Sequence, residues 1–436
     1  MSDKAKNDVI KAEGKKLFSV PMIVLLVMVI LVGMGEKMGE RFLPLYIIAI
    51  GGGTFAVSFL NGMDNLLSAL YSFPGGYLSD KIGYKRALLV FNGIAMIGYT
   101  IVIIVPTWWA VLLGAVFFIS WTAVSLPAIM SMISSIVGKD KRVMGVSAHS
   151  LVRRIPMALG PIVGGAIIGA LGIAFGIKIA FITALGLAVI ASLLQIFFVK
   201  EPPKENKELL KLLKALKTIK PELGTLLIAD ILVRFAEQIP YAFLAIWVVD
   251  INGVSELQFG YLTAIEMVTA LLIYIPVAYF SDKFSKKPFV VITFFFFTLF
   301  PIVVYFTRTF TLLIIAFIIR GLKEFGEPTR KALILDLSPE DYKASTFGVY
   351  YLIRDVIVSI AAFSSALLWN VDPSVNFFVA AGFGLLGTLV FAFFGKSTVK
   401  LKPPKEEEEI EPDIFIESDL NIDKVEEKDI TKIYKE

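Results

Sequence analysis

The 436-residue sequence contains no cysteine. Disulfides, thiolate metal sites and cysteine nucleophiles are therefore excluded. A single histidine, His149, gives no basis for a histidine metal cluster, so no metal is expected. No stretch alternates apolar and polar residues over ten-residue units, which excludes a membrane β-barrel. There is no nucleotide-cradling glycine loop, no metal constellation and no paired serine and histidine nucleophile. Neither an enzyme, a cofactor nor a nucleic-acid partner is expected on that basis. The first residues lack a small-residue cleavage site, so the first apolar segment reads as a retained helix rather than a signal peptide.

Charged residues make up 18% of the chain and hydrophobic residues 56%, with a mean hydropathy of +0.76. That is too apolar for a soluble core with a wetted surface. Apolar stretches recur from Leu17 to Phe394, each of roughly the 20 residues that cross a ~30 Å hydrocarbon layer. The sequence predicts an all-α integral membrane protein of twelve helices. Six spans fall near residues 18–48, 54–78, 87–105, 108–137, 144–172 and 176–199. Six more fall near 223–249, 257–281, 288–307, 309–335, 344–369 and 374–395.

Short basic connections resist translocation. Lys4, Lys6, Lys11, Lys15, Lys16, Lys81, Lys85, Arg86, Lys139, Lys141, Arg142, Lys283, Lys286 and Lys287 all fall on one side, whereas the opposite loops hold little beyond Lys178 and Arg308. Both termini (residues 1–17 and 396–436) are expected in the cytoplasm, in a multi-pass protein of the cell membrane. Between the two sets, residues 200–222 carry Lys204, Lys207, Lys211, Lys214, Lys217 and Lys220 among leucines, the pattern of an amphipathic helix on an anionic leaflet. From residue 396 onward acidic residues outnumber basic ones, with Pro403, Pro404 and the run Glu406 to Glu409. This reads as a mostly disordered, solvated tail.

Residues 18–199 and 223–395 are two copies of one unit. Tyr77, Ser79, Asp80 and Lys81 recur as Tyr279, Ser281, Asp282 and Lys283, a separation of 202 residues, and Asp64 recurs as Glu266. Ile30, Leu31, Val32 and Glu36 recur as Ile231, Leu232, Val233 and Glu237, and Arg153 as Arg354, one residue closer. Two pseudo-symmetric six-helix bundles enclose a cleft that opens to either side as they rock.

The segment Gly76, Tyr77, Leu78, Ser79, Asp80, Lys81, Ile82, Gly83, Tyr84, Lys85, Arg86 lies between the second and third spans. It resembles the signature loop of the major facilitator superfamily, Gly-x-Leu-Ala-Asp-Arg-x-Gly-Arg-Arg. Gly76 permits close helix approach, Asp80 can pair with a cation or helix end across the half-interface, and Gly83 permits a tight turn. Together with Lys85 and Arg86 they form an expected conformational latch. The second copy keeps Asp282, Lys286 and Lys287 but has Ala278 and Ser285 in place of the glycines. A weaker latch is expected there.

In the fifth span Gly160, Pro161, Ile162, Val163, Gly164 and Gly165 resemble the Gly-Pro-x-x-Gly-Gly core of the motif of exporter branches. The upstream glycines of that motif are missing, with Pro156 at one of them. Glycine and proline are also ordinary packing devices between membrane helices. The fourth span lacks the arginine that many proton-coupled members carry.

Charged side chains within the spans cost ~2.5–3.5 kcal/mol each on insertion scales, which makes them functional candidates. They include the acids Glu36, Glu40, Asp64, Asp230, Glu237, Glu266, Glu324, Glu327 and Asp355, and the bases Lys37, Arg41, Arg153, Arg154, Arg234, Arg320, Lys323 and Arg354. Rise along each helix places Arg153, Arg320 and Arg354 near the midplane and Glu36, Asp64, Glu237 and Glu266 toward the outer half. Glu36 and Glu237 are candidates for proton coupling, their roles exchangeable with Asp64 and Glu266. Arg153, Arg320 and Arg354, with Tyr350, Glu324 and Asp355 nearby, are candidates for substrate binding, since guanidinium forks suit anions. The plain alternative for every one of these residues is an ion pair that holds helices together. His149 lies one turn from Arg153 and reads as a hydrogen-bonded helix residue.

The resemblance implies a monomeric secondary transporter working by alternating access. The leading expectation is proton-coupled efflux of small, amphipathic molecules. The alternative is a symporter or exchanger of a small organic anion or sugar, and the remote one a non-transporting scaffold or sensor.

Overall fold

A computed structural model describes residues 19–119, 121–137, 148–199, 221–339 and 343–396, apart from a few side chains within the helices. The charged N-terminus, the Lys139 to Arg142 loop, the amphipathic linker and the acidic tail lie outside the described residues. The first half comprises α1 (Val20–Glu40), α2 (Leu43–Ala49), α3 (Thr54–Ile82), α4 (Tyr84–Ile104), α5 (Trp108–Phe118), α6 (Trp121–Val137), α7 (Ala148–Leu171) and α8 (Ile173–Phe198). The second comprises α9 (Pro221–Tyr241), α10 (Leu244–Ile251), α11 (Glu256–Lys283), α12 (Lys286–Phe306), α13 (Phe310–Leu322), α14 (Glu327–Leu337), α15 (Lys343–Val371) and α16 (Pro373–Phe394). No strand occurs among the described residues.

Among the described residues, eight helices are long and apolar enough to cross a membrane alone, and α9 with α10, bent by 47°, makes a ninth. The other three crossings are charged or interrupted. The 29-residue α3 carries Asp64 and Lys81. A turn splits α5 from α6, and another, containing Lys323 and Glu324, splits α13 from α14. Counted as crossings with α1–α2, these helices form two six-helix bundles, the architecture expected from the sequence.

Local chemistry sets the boundaries. Gly83 (φ 98°) alone separates α3 from α4, and Gly172 (φ 79°) alone separates α7 from α8. A side chain at either would be strained in that backbone region. The Ser255 hydroxyl accepts from Gln258 N–H and the Gln258 side chain accepts from Ser255 N–H, a capping box that starts α11. Asp372 accepts from Ser374 N–H to start α16.

The halves meet along two seams, α3 against α15 and α7 against α11. The side of the membrane on which α1 starts and Gly83 lies is the terminal side, and its opposite the far side. Several contacts between the halves lie on the far side. Thr54 Oγ1 donates to Asn370 Oδ1 at 2.8 Å, and the Ser58 and Ser365 hydroxyls bond at 2.8 Å. Phe42 meets Phe259 edge-on with centroids 5.8 Å apart. Gly165 abuts the Glu256 backbone, and Gly260 the backbone of Pro161. Small residues there let backbones touch, the packing that stabilises helices in lipid.

Candidate functional site

A cavity of about 50 Å³ lies where the halves meet. Glu40, Arg41, Asn61 and Asp64 line it from the first half, and Tyr241 and Arg320 from the second, over an apolar wall that includes Leu60, Ile119 and Phe259. Arg41 Nη1 donates to Tyr241 Oη at 2.7 Å. Two guanidiniums lie near the same ring, with Arg41 Cζ 5.1 Å and Arg320 Cζ 5.5 Å from its centroid. Asn61 Nδ2 donates to Gln238 O at 3.1 Å and Asn65 Nδ2 to Gln238 Oε1 at 3.1 Å, so α3 is tied to α9 beside the cavity.

In the second half the intramembrane charges are interlocked. Glu237 meets Arg234 at 2.6 Å and Lys323 at 2.5 Å. Glu266 meets Arg320 at 2.9 Å and Lys323 at 3.6 Å. Asp230 and Arg330, each 1% exposed, form an ion pair. Asp230 also accepts from Tyr350 Oη at 3.0 Å and Arg354 Nη1 at 3.4 Å. Arg330 reaches Glu327 at 2.7 Å, and Arg354 reaches Asp355 at 2.6 Å. The network joins α9, α11, α13, α14 and α15. Buried charges are tolerated in this way because each finds an opposite charge and further hydrogen bonds. Glu324 forms no ion pair among the described residues.

The first half is different. Lys37 bridges Glu36 (3.1 Å) and Glu40 within α1. Arg41, Arg153, Arg154 and Asp64 form no ion pair among the described residues. Asp64 accepts one long bond, from Ser68 Oγ at 3.4 Å. Arg153 lines a small, largely apolar pocket of about 20 Å³ to which Glu36, Lys37, Ser125 and His149 bring the polar groups. Arg154 lies 5.2 Å from the Tyr274 ring, across the seam.

Of the four expected coupling carboxylates, Asp64 is thus in the central cavity, Glu36 in the first-half pocket, and Glu237 and Glu266 in the ion-pair network. Of the expected substrate ligands, Arg320 faces the cavity while paired, Tyr350, Arg354 and Asp355 belong to the network, and Arg153 stands apart beside Glu36. In the latch, Gly83 makes the positive-φ turn, Lys85 Nζ donates to Ile196 O at 2.8 Å and Arg86 is exposed. The side chains at Gly76, Asp80 and Asp282 lie outside the described ones. In the fifth span, Gly160 and Gly164 seat α7 against Lys37 and Met38 of α1, whereas Pro161 and Gly165 seat it against α11.

Arg330 and Tyr241 are among the participants absent from the sequence reading. Arg330 follows Glu327 by three residues, a spacing that pairs side chains on a helix. Tyr241 occupies the repeat position of Glu40, 201 residues on, so the internal repeat already pointed to it.

Two bundles of six membrane helices around a central polar cavity are the fold of a multi-pass membrane transporter. The sequence profile described as Major Facilitator Superfamily matches residues 25–228 and again 226–425. The chain belongs to the major facilitator superfamily, whose members are transporters and not enzymes. It is 20% identical over 381 residues to an uncharacterised MFS-type transporter of Methanocaldococcus jannaschii, covering 83% of this chain and 91% of that one. Among solved structures it is similar to the nucleoside transporter NupG, with a TM-score of 0.73 at 14% identity, covering 86% of this chain and 100% of that one. A POT family transporter in complex with a thioalcohol-conjugated peptide gives 0.72 at 14%, covering 86% and 95%. A bacterial homologue of the human lysosomal transporter Spinster gives 0.70 at 15%, covering 88% and 100%.

Proposed function

We propose that this protein is a proton-coupled secondary transporter that works by alternating access, as a monomer in the cell membrane with its termini in the cytoplasm. Its substrate is a small polar solute that carries both signs of charge. The observation that carries this reading is Asp64, an intramembrane carboxyl that lines the central cavity and forms no ion pair among the described residues. Such a group can gain or lose a proton without stranding a buried cation. Protonating Glu237 would instead leave Arg234 and Lys323 short of a partner. Asp64 therefore takes the coupling role first, with Glu36 next, and Glu237 and Glu266 serve the scaffold.

The cavity favours a dipolar solute over a lipophilic cation. Its wall holds two carboxylates, Glu40 and Asp64, and two guanidiniums, Arg41 and Arg320, together with Tyr241 and Asn61. Opposite charges on one solute meet complementary groups there. The peptide named with one of the structural neighbours is a small polar solute. Export is the direction implied by the fifth-span resemblance. A second reading, exchange of small organic anions, is favoured by Arg41 and Arg153, neither of which pairs with a carboxylate among the described residues.

The test is a screen in proteoliposomes holding a trapped pH dye, with dipolar solutes, organic anions and lipophilic cations added in turn. A proton signal elicited by dipolar solutes supports the proposal. Anion movement without a proton signal supports the second reading, and a signal elicited by lipophilic cations alone contradicts the substrate class.

A further inference from the structure

The pocket that Arg153 lines lies between α1, α6 and α7, and its polar groups stand in a row. On α1 it runs from Val29 through Gly33 to Glu36, and on α7 from His149 through Arg153 to Pro156. Each set follows three- and four-residue spacing, so each is one helix face. Both helices start on the terminal side, and Gly33 packs against Pro156. Glu36 is three residues beyond that level and His149 seven short of it. The two ends of the row are thus separated by ~15 Å of helix rise, with His149 on the terminal side.

His149 is the sole histidine of the chain and is 3% exposed. Its ring makes no hydrogen bond or ion pair among the described residues. A buried imidazole without a partner is costly unless water serves it, and the pocket beside it, at about 20 Å³, has room for water. The charged groups that share the pocket are Arg153 on its own helix and Glu36 and Lys37 on α1. The third wall, α6, brings no charge but places the buried Ser125 hydroxyl along the row.

We propose that this pocket is a proton path and that His149 is its terminal-side relay to Glu36, on the reading that Glu36 takes part in coupling. Imidazole suits the role because its two ring nitrogens act in turn. One nitrogen accepts a proton from a hydronium ion on the terminal side, and the other gives its own proton to water beside Ser125. That water passes a proton to the Glu36 carboxylate. One proton has then entered, one carboxyl has formed, and the imidazole is left neutral as its other tautomer. Return of the proton along the same groups, or rotation of the ring, restores the first tautomer. Lys37 remains beside Glu36, with its ammonium 3.1 Å from the carboxylate.

The test is a pH jump on the full chain in nanodiscs, followed by stopped-flow infrared absorption. The carboxyl band present in the unmodified protein and absent from Glu36→Gln belongs to Glu36, so no transported solute is needed. His149→Ala should slow the rise of that band on the order of a hundredfold and leave its final height unchanged. Added imidazole should restore the rate, whereas pyrazole, a ring of the same shape and far weaker basicity, should not. His149→Gln, which keeps the bulk and a hydrogen-bonding group, should be as slow as His149→Ala, and it carries the test if the alanine variant fails to fold. An unchanged rate in either variant, rescue by pyrazole, or the absence of a Glu36 band overturns the relay. The proton-coupled reading would then still stand on Asp64, whose own test is proton flux in Asp64→Asn.

Discussion

Arg41 of the first half donates to Tyr241 of the second across the central cavity, at 2.7 Å. Tyr241 stands at the repeat position of Glu40, so the two halves present a phenol and a carboxylate to the same space. A hydrogen bond from a charged donor contributes about 1.5–3 kcal/mol. It links the two halves directly across the cavity.

The native absence of cysteine makes the far-side closure directly testable. The Ser58 and Ser365 hydroxyls already lie 2.8 Å apart, within easy reach of a disulfide between cysteines at those positions. Ser58→Cys/Ser365→Cys should cross-link rapidly on mild oxidation, seen as a mobility shift on a non-reducing gel. Transport should stop in the oxidised protein and return on reduction.

The same cysteine pair reports on Tyr241. Tyr241→Phe keeps the ring beside both guanidiniums but removes the acceptor for Arg41. With the bond lost, the equilibrium constant toward the far-side closed state should fall by about tenfold for a loss of ~1.5 kcal/mol, and cross-linking in the Ser58→Cys/Ser365→Cys background should slow.

Arg330 is the centre of the second-half network. Arg330→Met leaves Asp230 buried with weaker support from Arg354 and Tyr350. Removing one partner of a buried pair costs about 3–5 kcal/mol, whereas replacing both by apolar groups is often far cheaper. Thermal unfolding in detergent should show a large loss for Arg330→Met and a partial recovery in Arg330→Met/Asp230→Leu.

The Asp372 cap adds a pH dependence at the start of α16. Hydrogen bonding from the Ser374 side chain and from its backbone N–H, the latter at 2.7 Å, favours its charged form and holds its pKa below the usual carboxylate value. A lowered folded-state pKa contributes stability that is fully present above the unfolded value and is lost as pH falls through the folded one. Hydrogen exchange in the first turn of α16 should therefore be faster in Asp372→Ala than in the unmodified protein at neutral pH. That difference should shrink as pH falls below ~4.

The fold was legible because lipid enforces it. Long apolar runs, basic loops on one side and a duplicated unit define twelve crossings before any contact is known. The membrane charges were legible as a set but not as pairs. Depth along a helix follows from counting residues, whereas the direction a side chain faces depends on packing that the sequence alone leaves open. Hence Arg320 and Arg354 read equally well as substrate ligands or as the ion-paired residues they are in the structure. The difference between the halves was written in the repeat. Phe118, Trp121 and Ala128 occupy the positions that Arg320, Lys323 and Arg330 hold 202 residues later. The cationic row of the second half has no counterpart at those positions in the first, and Asp64 forms no ion pair among the described residues.

The most direct measurement is proton flux in proteoliposomes carrying Asp64→Asn, set beside Glu266→Gln, with the solute that the screen identifies. The account predicts that Asp64→Asn still exchanges labelled solute at equilibrium but no longer moves protons with it. Glu266→Gln, which disturbs the ion pairs of Arg320 and Lys323, should lose protein stability before it loses coupling. Undiminished solute-driven proton flux in Asp64→Asn would contradict the coupling role assigned to that carboxyl.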